Sequence, residues 1–470
     1  MKTIQAVPGS EEYNARIQQI EGRLRDYQDN PRLVQTPEEL ENLEKEIRAL
    51  VEELAALITG QQIQHALDCE QMQEAQSAMV KDWPHRLESH DRAGVWVRTA
   101  SGHEVWINAR YFRRKGKRPG KKRYPGFYLG LLILGITDRC TSGFAAEVSL
   151  LAAMLGSLAQ AREVLVERGI GLDIKTLRRI TYRFSERARL TQRLAGLGFS
   201  ENVAGRRVVV SMDGGRIRLR ENKRGRKTQK GRSRYKGAWR EPKLFIIYVV
   251  DADGHIDRSF MPVMDAFIRG PDKLFKVLRN YLVQLSITEA DQVLFVADGA
   301  RWIWNRIPML VHQLGLRSEQ VHELVDFYHA VEHLGKVAGS CKSWTAKQRK
   351  SWIRKQRRLL RHGQVETVIN AIKAICRSNK LKGLRTERDY FVRNISRMRY
   401  DRIRSLKLPI GSGSVESAIR RVVNLRLKGP CIFWCKDNAE AILLLRCYWK
   451  AGRWNQLKNR ANLLVPEACA

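Results

Sequence analysis

Two short apolar runs in this chain of 470 residues end in the same dipeptide. Val208-Val209-Val210-Ser211-Met212 leads into Asp213-Gly214, and Phe295-Val296-Ala297 leads into Asp298-Gly299. Such runs, short and bounded by a turn dipeptide, read as buried strands. If the two strands are parallel neighbours, both carboxylates emerge at one sheet edge, the edge where open α/β sheets place their sites. Asp-Gly is also an ordinary turn, as at Asp253-Gly254, so neither dipeptide is diagnostic alone. Further strands are expected at 216–220, where Ile217 and Leu219 alternate with arginines, at 244–250, and at 322–325, which ends at Asp326. Helices are expected at 272–285 and 302–314. Strands in a run, then strands alternating with helices, predict an α/β fold with a mixed sheet covered by helices.

The charge limits the partners. Lys and Arg outnumber Asp and Glu by 85 to 49, a formal net charge of +36. Self-repulsion on that scale opposes compactness, and a polyanion offsets it by releasing counterions when its phosphates are neutralised. Nucleic acid is the expected partner. A membrane is not, because no apolar run reaches the roughly 20 residues that span a bilayer; the best, 127–136, is too short. The N-terminus lacks the apolar segment of a secretory signal. The eight cysteines contain no C-x-x-C pair, and Cys431 and Cys435 have no second pair at zinc-finger spacing. They read as reduced thiols of a cytoplasmic protein. With hydrophobic residues at 43%, the chain can bury a sizeable core.

The first 93 residues read as helical. Thr36-Pro37-Glu38-Glu39 is a capping-box start. Leu40, Leu43, Ile47, Leu50, Leu54 and Leu57 then recur at spacings of three and four, with Gly60 as the expected stop. This seam is either a dimerising coiled coil or an amphipathic helix packed on its own chain. Residues 94–113 read as a β-hairpin around Ser101-Gly102. The basic tract after it (Arg113, Arg114, Lys115, Lys117, Arg118, Lys121, Lys122, Arg123) is either a solvated run or a phosphate contact. Within 144–191 an amphipathic helix, a break at 169–173 and a basic helix capped by Asp173 form a helix-turn-helix-like pattern. Arg178, Arg179, Arg183 and Arg187 would then face DNA; the alternative is a helical hairpin with a solvated basic face.

Two or three carboxylates at one sheet edge make a hard-oxygen cage that suits Mg²⁺, with Mn²⁺ as a substitute. Two such ions can activate an attacking oxygen and stabilise a leaving one. From about residue 206 to 454 the sequence resembles the catalytic domain of DDE transposases of bacterial insertion sequences. Met212-Asp213-Gly214 matches the first block. Val296-Ala297-Asp298-Gly299-Ala300-Arg301-Trp302-Ile303 matches the second, and Leu408-Pro409-Ile410-Gly411-Ser412-Gly413-Ser414-Val415-Glu416-Ser417-Ala418 the third. Asp326-Phe327-Tyr328-His329 is similar to the Asp/Cys-x-x-His motif of hAT and Mutator-like transposases. The resemblance implies an RNase H-like fold with a helical insertion before the Glu. It also implies a metal site of Asp213, Asp298 and Glu416, with His329 beside the scissile phosphate. Asp326 as a cap and His329 as a packed imidazole is the alternative. Glu440 competes with Glu416 for the third place, and Glu332 is a weaker rival. Some members of the family it resembles carry cysteine motifs near the hairpin, and this chain has none there.

Further basic groups would hold DNA: Lys223, Arg224, Arg226, Lys227, Lys230, Arg232, Arg234 and Lys236 in a loop, Arg354 and Lys355 among Trp344 and Trp352, and Arg420 and Arg421 before Trp434. Most of those tryptophans read more readily as core residues than as stacking platforms. The resulting organisation is 1–93 helical, 94–125 hairpin and basic linker, 126–205 helix-turn-helix-like, 206–330 first part of the RNase H-like core, 331–405 basic helical insertion, and 406–470 C-terminal core helices. By resemblance the chain binds terminal inverted repeats of double-stranded DNA, cleaves a strand at each end and joins the freed 3′-OH to target DNA. It would act as a homodimer or higher homo-oligomer. An RNase H-like nuclease or resolvase, and a non-catalytic transposase-derived DNA-binding protein, are the rival readings.

Overall fold

The computed structural model describes residues 3–4, 6–117, 123–194, 201–229, 231–378, 382–464 and 466. Arg118, Lys121, Lys122 and Lys230 lie outside them. The chain divides into two compact units, Met1–Ala195 with Asn455–Ala470, and Gly196–Trp454.

The first unit joins helices to a small sheet. Its strands are β1 (Thr3–Ile4), β2 (Leu87–Arg98), β3 (Glu104–Arg114) and β4 (Gly126–Phe127), with β3 pairing all three others. The β2–β3 hairpin is longer than its apolar alternation, because residues 89–92 are polar and exposed, yet Ser89 and Arg92 pair with Phe112 and Arg110 on either side of an irregularity in the register. The helix Pro37–Asp68 starts with the expected capping box but runs through Gly60. Gly60 is a packing residue: a Cβ there would lie 2.4 Å from the Tyr13 hydroxyl, which donates to the Leu57 carbonyl at 2.7 Å. Leu50, Leu57, Ile63 and Leu67 of this helix share a core with Tyr13, Ile20, Val95, Val105 and Ile107. The inner part of the leucine seam therefore packs on its own chain, as in the amphipathic-helix alternative. Leu40 is exposed. The helices Leu158–Glu167 and Ile174–Leu194 flank a turn at Gly169 (φ +76°), and Asp173 accepts the Thr176 N–H at 2.9 Å as the expected cap.

The second unit is mixed α/β. Its strands are β5 (Arg207–Gly214), β6 (Ile217–Asn222), β7 (Tyr235–Arg240), β8 (Lys243–Val250), β9 (Val263–Phe267), β10 (Gln292–Ala297) and β11 (Val321–Val325). Five of them form a sheet in the order β11-β10-β5-β8-β9, and β6 and β7 form a separate ribbon. β10 is parallel to both β5 and β11, whereas β8 is antiparallel to β5 and β9. Consecutive residues of β5, β8, β9 and β10 are buried, so both sheet faces are covered. The helices Pro271–Gln284, Gly413–Ile419 and Lys436–Lys450 pack against it. Strands β7 and β9 are absent from the sequence reading. β7 is basic and exposed, and β9 lacks an apolar-polar alternation because all five residues are buried. Between β11 and Gly413 the described residues form helices, including Phe327–Ser340, Ala346–Arg361, Val365–Ser378 and Lys382–Arg393, which pack on one another.

Candidate active site

The parallel strands set the site. Ala297 of β10 is in register with Met212 of β5 on one side and with Val325 of β11 on the other. The next residues on the three strands are Asp213, Asp298 and Asp326, so three aspartates line one sheet edge. β8 runs the opposite way, with Lys243 opposite Gly214, so its entry also lies at this edge. That brings in Glu241, whose side chain covers Gly214: a Cβ on Gly214 would sit 2.0 Å from its Oε1. Glu241 is held by Lys243 Nζ at 2.5 Å, and the same ammonium lies 4.9 Å from the Trp302 ring centroid.

Asp326 plays a structural part. It is 1% exposed, caps the helix Phe327–Ser340 by accepting the His329 N–H at 2.9 Å, and accepts from both the N–H and the hydroxyl of Ser412. The Phe327 N–H donates to the Ile410 carbonyl at 2.9 Å. These bonds pin the Gly411-Ser412-Gly413 segment to the end of β11. A Cβ on Gly411 would lie 2.8 Å from the Tyr328 ring, so glycine there lets the segment pack against Tyr328. The pinned segment opens the helix Gly413–Ile419. Val415 and Ala418 bury its inner face on β5 and β8, and the Ser414 side chain lies beside the Tyr248 hydroxyl. Glu416 is left exposed on the outer side.

The electrostatics tie these groups together. Burial pushes the Asp213 carboxyl up to about 6; the Gly214 N–H, donating at 2.6 Å, opposes this, and the charges of Asp298, Glu416 and Glu241 add to it. Asp298 is also raised, first by burial and then by Glu241, against the Ala300 N–H at 3.0 Å and the nearby His329 and His333. Glu416 therefore acts on Asp213. Glu440 is engaged at another place: it accepts the N–H groups of Ile268 and Arg269 at 3.3 and 3.2 Å and pairs with the Arg269 guanidinium at 3.4 Å. Glu332 faces His329 Nδ1 at 3.6 Å.

A histidine pair stands beside Asp298. The His329 and His333 rings are 5.1 Å apart, and His333 stacks on Tyr390 at 3.7 Å. His333 Nδ1 bonds Glu387, yet burial holds the imidazole below its ordinary value. Tyr390 rests on Gly299, where a Cβ would meet its ring at 2.2 Å, and its buried hydroxyl has no hydrogen-bond partner among the described residues. Glu241, His333 and Tyr390 are absent from the sequence reading. Only the spacing of His329 and His333 by one helical turn, and a hairpin register that returns Glu241 to Asp213, could have indicated them.

The donors fit a hard divalent cation by chemistry: all are carboxylate oxygens, the two aspartates are partly desolvated, and the charges of Asp298 and Glu416 repel that of Asp213. Among the described residues no three His, Cys, Asp or Glu side chains already converge as a metal cage.

The basic candidates are spread over both units. Lys223, Arg224, Arg226 and Lys227 are exposed at the tip of the β6–β7 ribbon, Arg354 and Lys355 on the helix Ala346–Arg361, and Arg420 and Arg421 just after the Glu416 helix. In the first unit Arg178 and Arg179 are exposed. Arg183 and Arg187 both pair with Asp138, at 2.9 and 2.7 Å, and Arg187 also donates to the Ala461 carbonyl. Arg187, expected to face DNA, is thus committed within its own unit. Among the described residues no helix is long and apolar enough to cross a membrane. The chain matches no family model, no curated protein and no solved structure.

Proposed function

We propose that this chain is a DNA transposase whose second unit is an RNase H-like core with a helical insertion before Glu416. The observation that carries the reading is the placement of Asp213 and Asp298 side by side on parallel strands, with Glu416 near enough to raise Asp213. The antiparallel run β5, β8, β9 followed by the parallel β10 and β11 supports the fold assignment.

Asp213, Asp298 and Glu416 would hold Mg²⁺, which when bound polarises a phosphate oxygen and stabilises the leaving oxygen. The chain's own residues supply the frame. The β5–β10 register fixes the two aspartates, and Asp326 fixes the approach to Glu416. Trp304 Nε1 donates to the Asp298 carbonyl at 2.6 Å and steadies the turn after β10. His329, partly exposed beside Asp298, is placed to contact a phosphate. The exposed Lys and Arg of the ribbon and of the helix Ala346–Arg361 attract the DNA backbone. Joining two ends calls for a homodimer or larger assembly.

The test is strand transfer. Labelled duplexes taken from the DNA either side of the coding sequence are incubated with the protein, a plasmid target and Mg²⁺. Covalently joined product is expected. Cleavage without joining supports a nuclease instead, and DNA binding with neither supports a non-catalytic derivative.

A further inference from the structure

Directly after Asp213 the chain passes through Gly214-Gly215 into the β6–β7 ribbon, whose two faces differ. Ile217 and Leu219 are buried on one face. Glu221 shares that face, in line with its pairing to Lys236 and Arg240. The other face carries Arg216, Arg218 and Arg220. The register sets Trp239 opposite Arg218, Gly237 opposite Arg220 and Tyr235 opposite Asn222, so arginines and rings alternate over one surface. Within β6 and β7 that face carries no carboxylate; Glu241, two residues after Trp239, stands at its Asp213 end.

The arginines lie against the rings. Arg216 and Arg218 are 4.8 and 5.4 Å from the Trp239 centroid, and Arg220 is 4.8 Å from that of Tyr235. Phe433 fills the space left by Gly237, where a Cβ would lie 2.6 Å from its ring, and sits 4.6 Å from the Arg218 guanidinium. Its segment is fixed alongside β6: the Arg220 N–H donates to the Trp434 carbonyl at 2.8 Å and the Trp434 N–H to the Arg218 carbonyl at 3.0 Å. Arg218 spends an N–H on the Gly429 carbonyl at 2.6 Å, whereas Arg216 and Arg220, exposed and laid on rings, keep their in-plane N–H donors for phosphate. Trp239 and Tyr235 remain 46% and 41% exposed, large for rings on so charged a ribbon. An open cleft lined by Gly214, Gly215, Arg216, Trp239 and Glu241 joins this face to the end of β5.

We infer that this face seats an unpaired stretch of nucleic-acid strand leading away from the carboxylates, its phosphates on Arg216 and Arg220 and its bases on Trp239 and Tyr235. The inference rests on the nucleic-acid reading above. A duplex hides its base faces and would use only the arginines, whereas an unpaired strand uses both. Alternate residues of β6 are about 6.6 Å apart, on the scale of one nucleotide of an extended strand.

The experiment measures binding of a labelled single-stranded oligonucleotide, and of its duplex, to the full chain and to W239A, Y235A and W239F. W239A is expected to weaken single-strand binding about tenfold or more while changing duplex binding less than about threefold, with W239F restoring most of the loss. A salt series on R216Q/R220Q, expected to show a shallower single-strand dependence, keeps the test open if W239A does not fold. Single-strand binding unchanged in both ring variants, or duplex weakened as much as single strand, overturns the inference while leaving the nucleic-acid reading intact. A wild-type chain that binds neither form overturns that reading itself.

Discussion

Asp326 accepts hydrogen bonds from both the backbone N–H and the hydroxyl of Ser412, far along the chain, while its other oxygen caps the helix that carries His329. One buried carboxylate thus sets the start of the Glu416 helix and the position of His329. Its motif resembles a catalytic one, but its bonds make it a positioning residue.

Replacing it tests that role. Asp326→Ala leaves buried donors without an acceptor, which costs about 2–4 kcal/mol of stability. Chemical denaturation should record this loss, together with reduced cleavage under conditions where the variant stays folded. Stability within about 0.5 kcal/mol of wild type contradicts the assigned bonds.

The raised Asp213 carboxyl predicts a pH signature. The folded chain holds this proton up to about pH 6, whereas an unfolded Asp releases it near 4. Between those values the native state binds more protons than the unfolded one, so this contribution is fully present below about pH 4 and is lost as pH rises through about 6. Its size is on the order of 1–3 kcal/mol. Asp213→Asn lacks the repulsion and should melt higher than wild type at pH 7.5 without metal, with the difference shrinking toward pH 4.5. A variant melting lower than wild type at pH 7.5 contradicts the electrostatic account.

Glu416 and Glu440 should separate by phenotype. Glu440→Gln weakens the clasp on Ile268 and Arg269 and should cost about 1 kcal/mol of stability, with Mg²⁺-dependent cleavage retained. Glu416→Gln, at an exposed position, should melt like wild type and lose cleavage. The reverse pattern would exchange their roles.

Tyr390 offers a packing test. Its hydroxyl is buried without a partner among the described residues, so Tyr390→Phe removes an unsatisfied group and keeps the ring on Gly299 and His333. Thermal melting should be unchanged or raised by up to about 1 kcal/mol equivalent. A clear fall indicates a hydrogen bond at that oxygen.

The strand-end aspartates were legible because buried strands leave continuous apolar runs, and both runs stop at Asp-Gly. The parallel pairing that sets them side by side is borne out by the β5–β10 register. Glu241 was not legible, since a charged residue before Pro242 carries no mark of the hairpin register that returns it to Gly214. β9 was missed because burial of Asp265 and of every neighbour erased the period-two signal. Gly60 misled because a helix-stopping glycine and a helix-packing glycine look alike until Tyr13 is placed against it. Asp326 was legible as a helix cap, and its bonds to His329 and Ser412 show that role together with a second one, holding the start of the Glu416 helix.

The most direct measurement is Mg²⁺-dependent nicking and joining of supercoiled plasmid DNA by wild type, Asp213→Asn and Asp298→Asn, with DNA affinity measured on the same preparations. The account predicts activity in wild type that neither variant retains above about one part in a hundred, at unchanged affinity. Cleavage by either variant at the wild-type rate would contradict it.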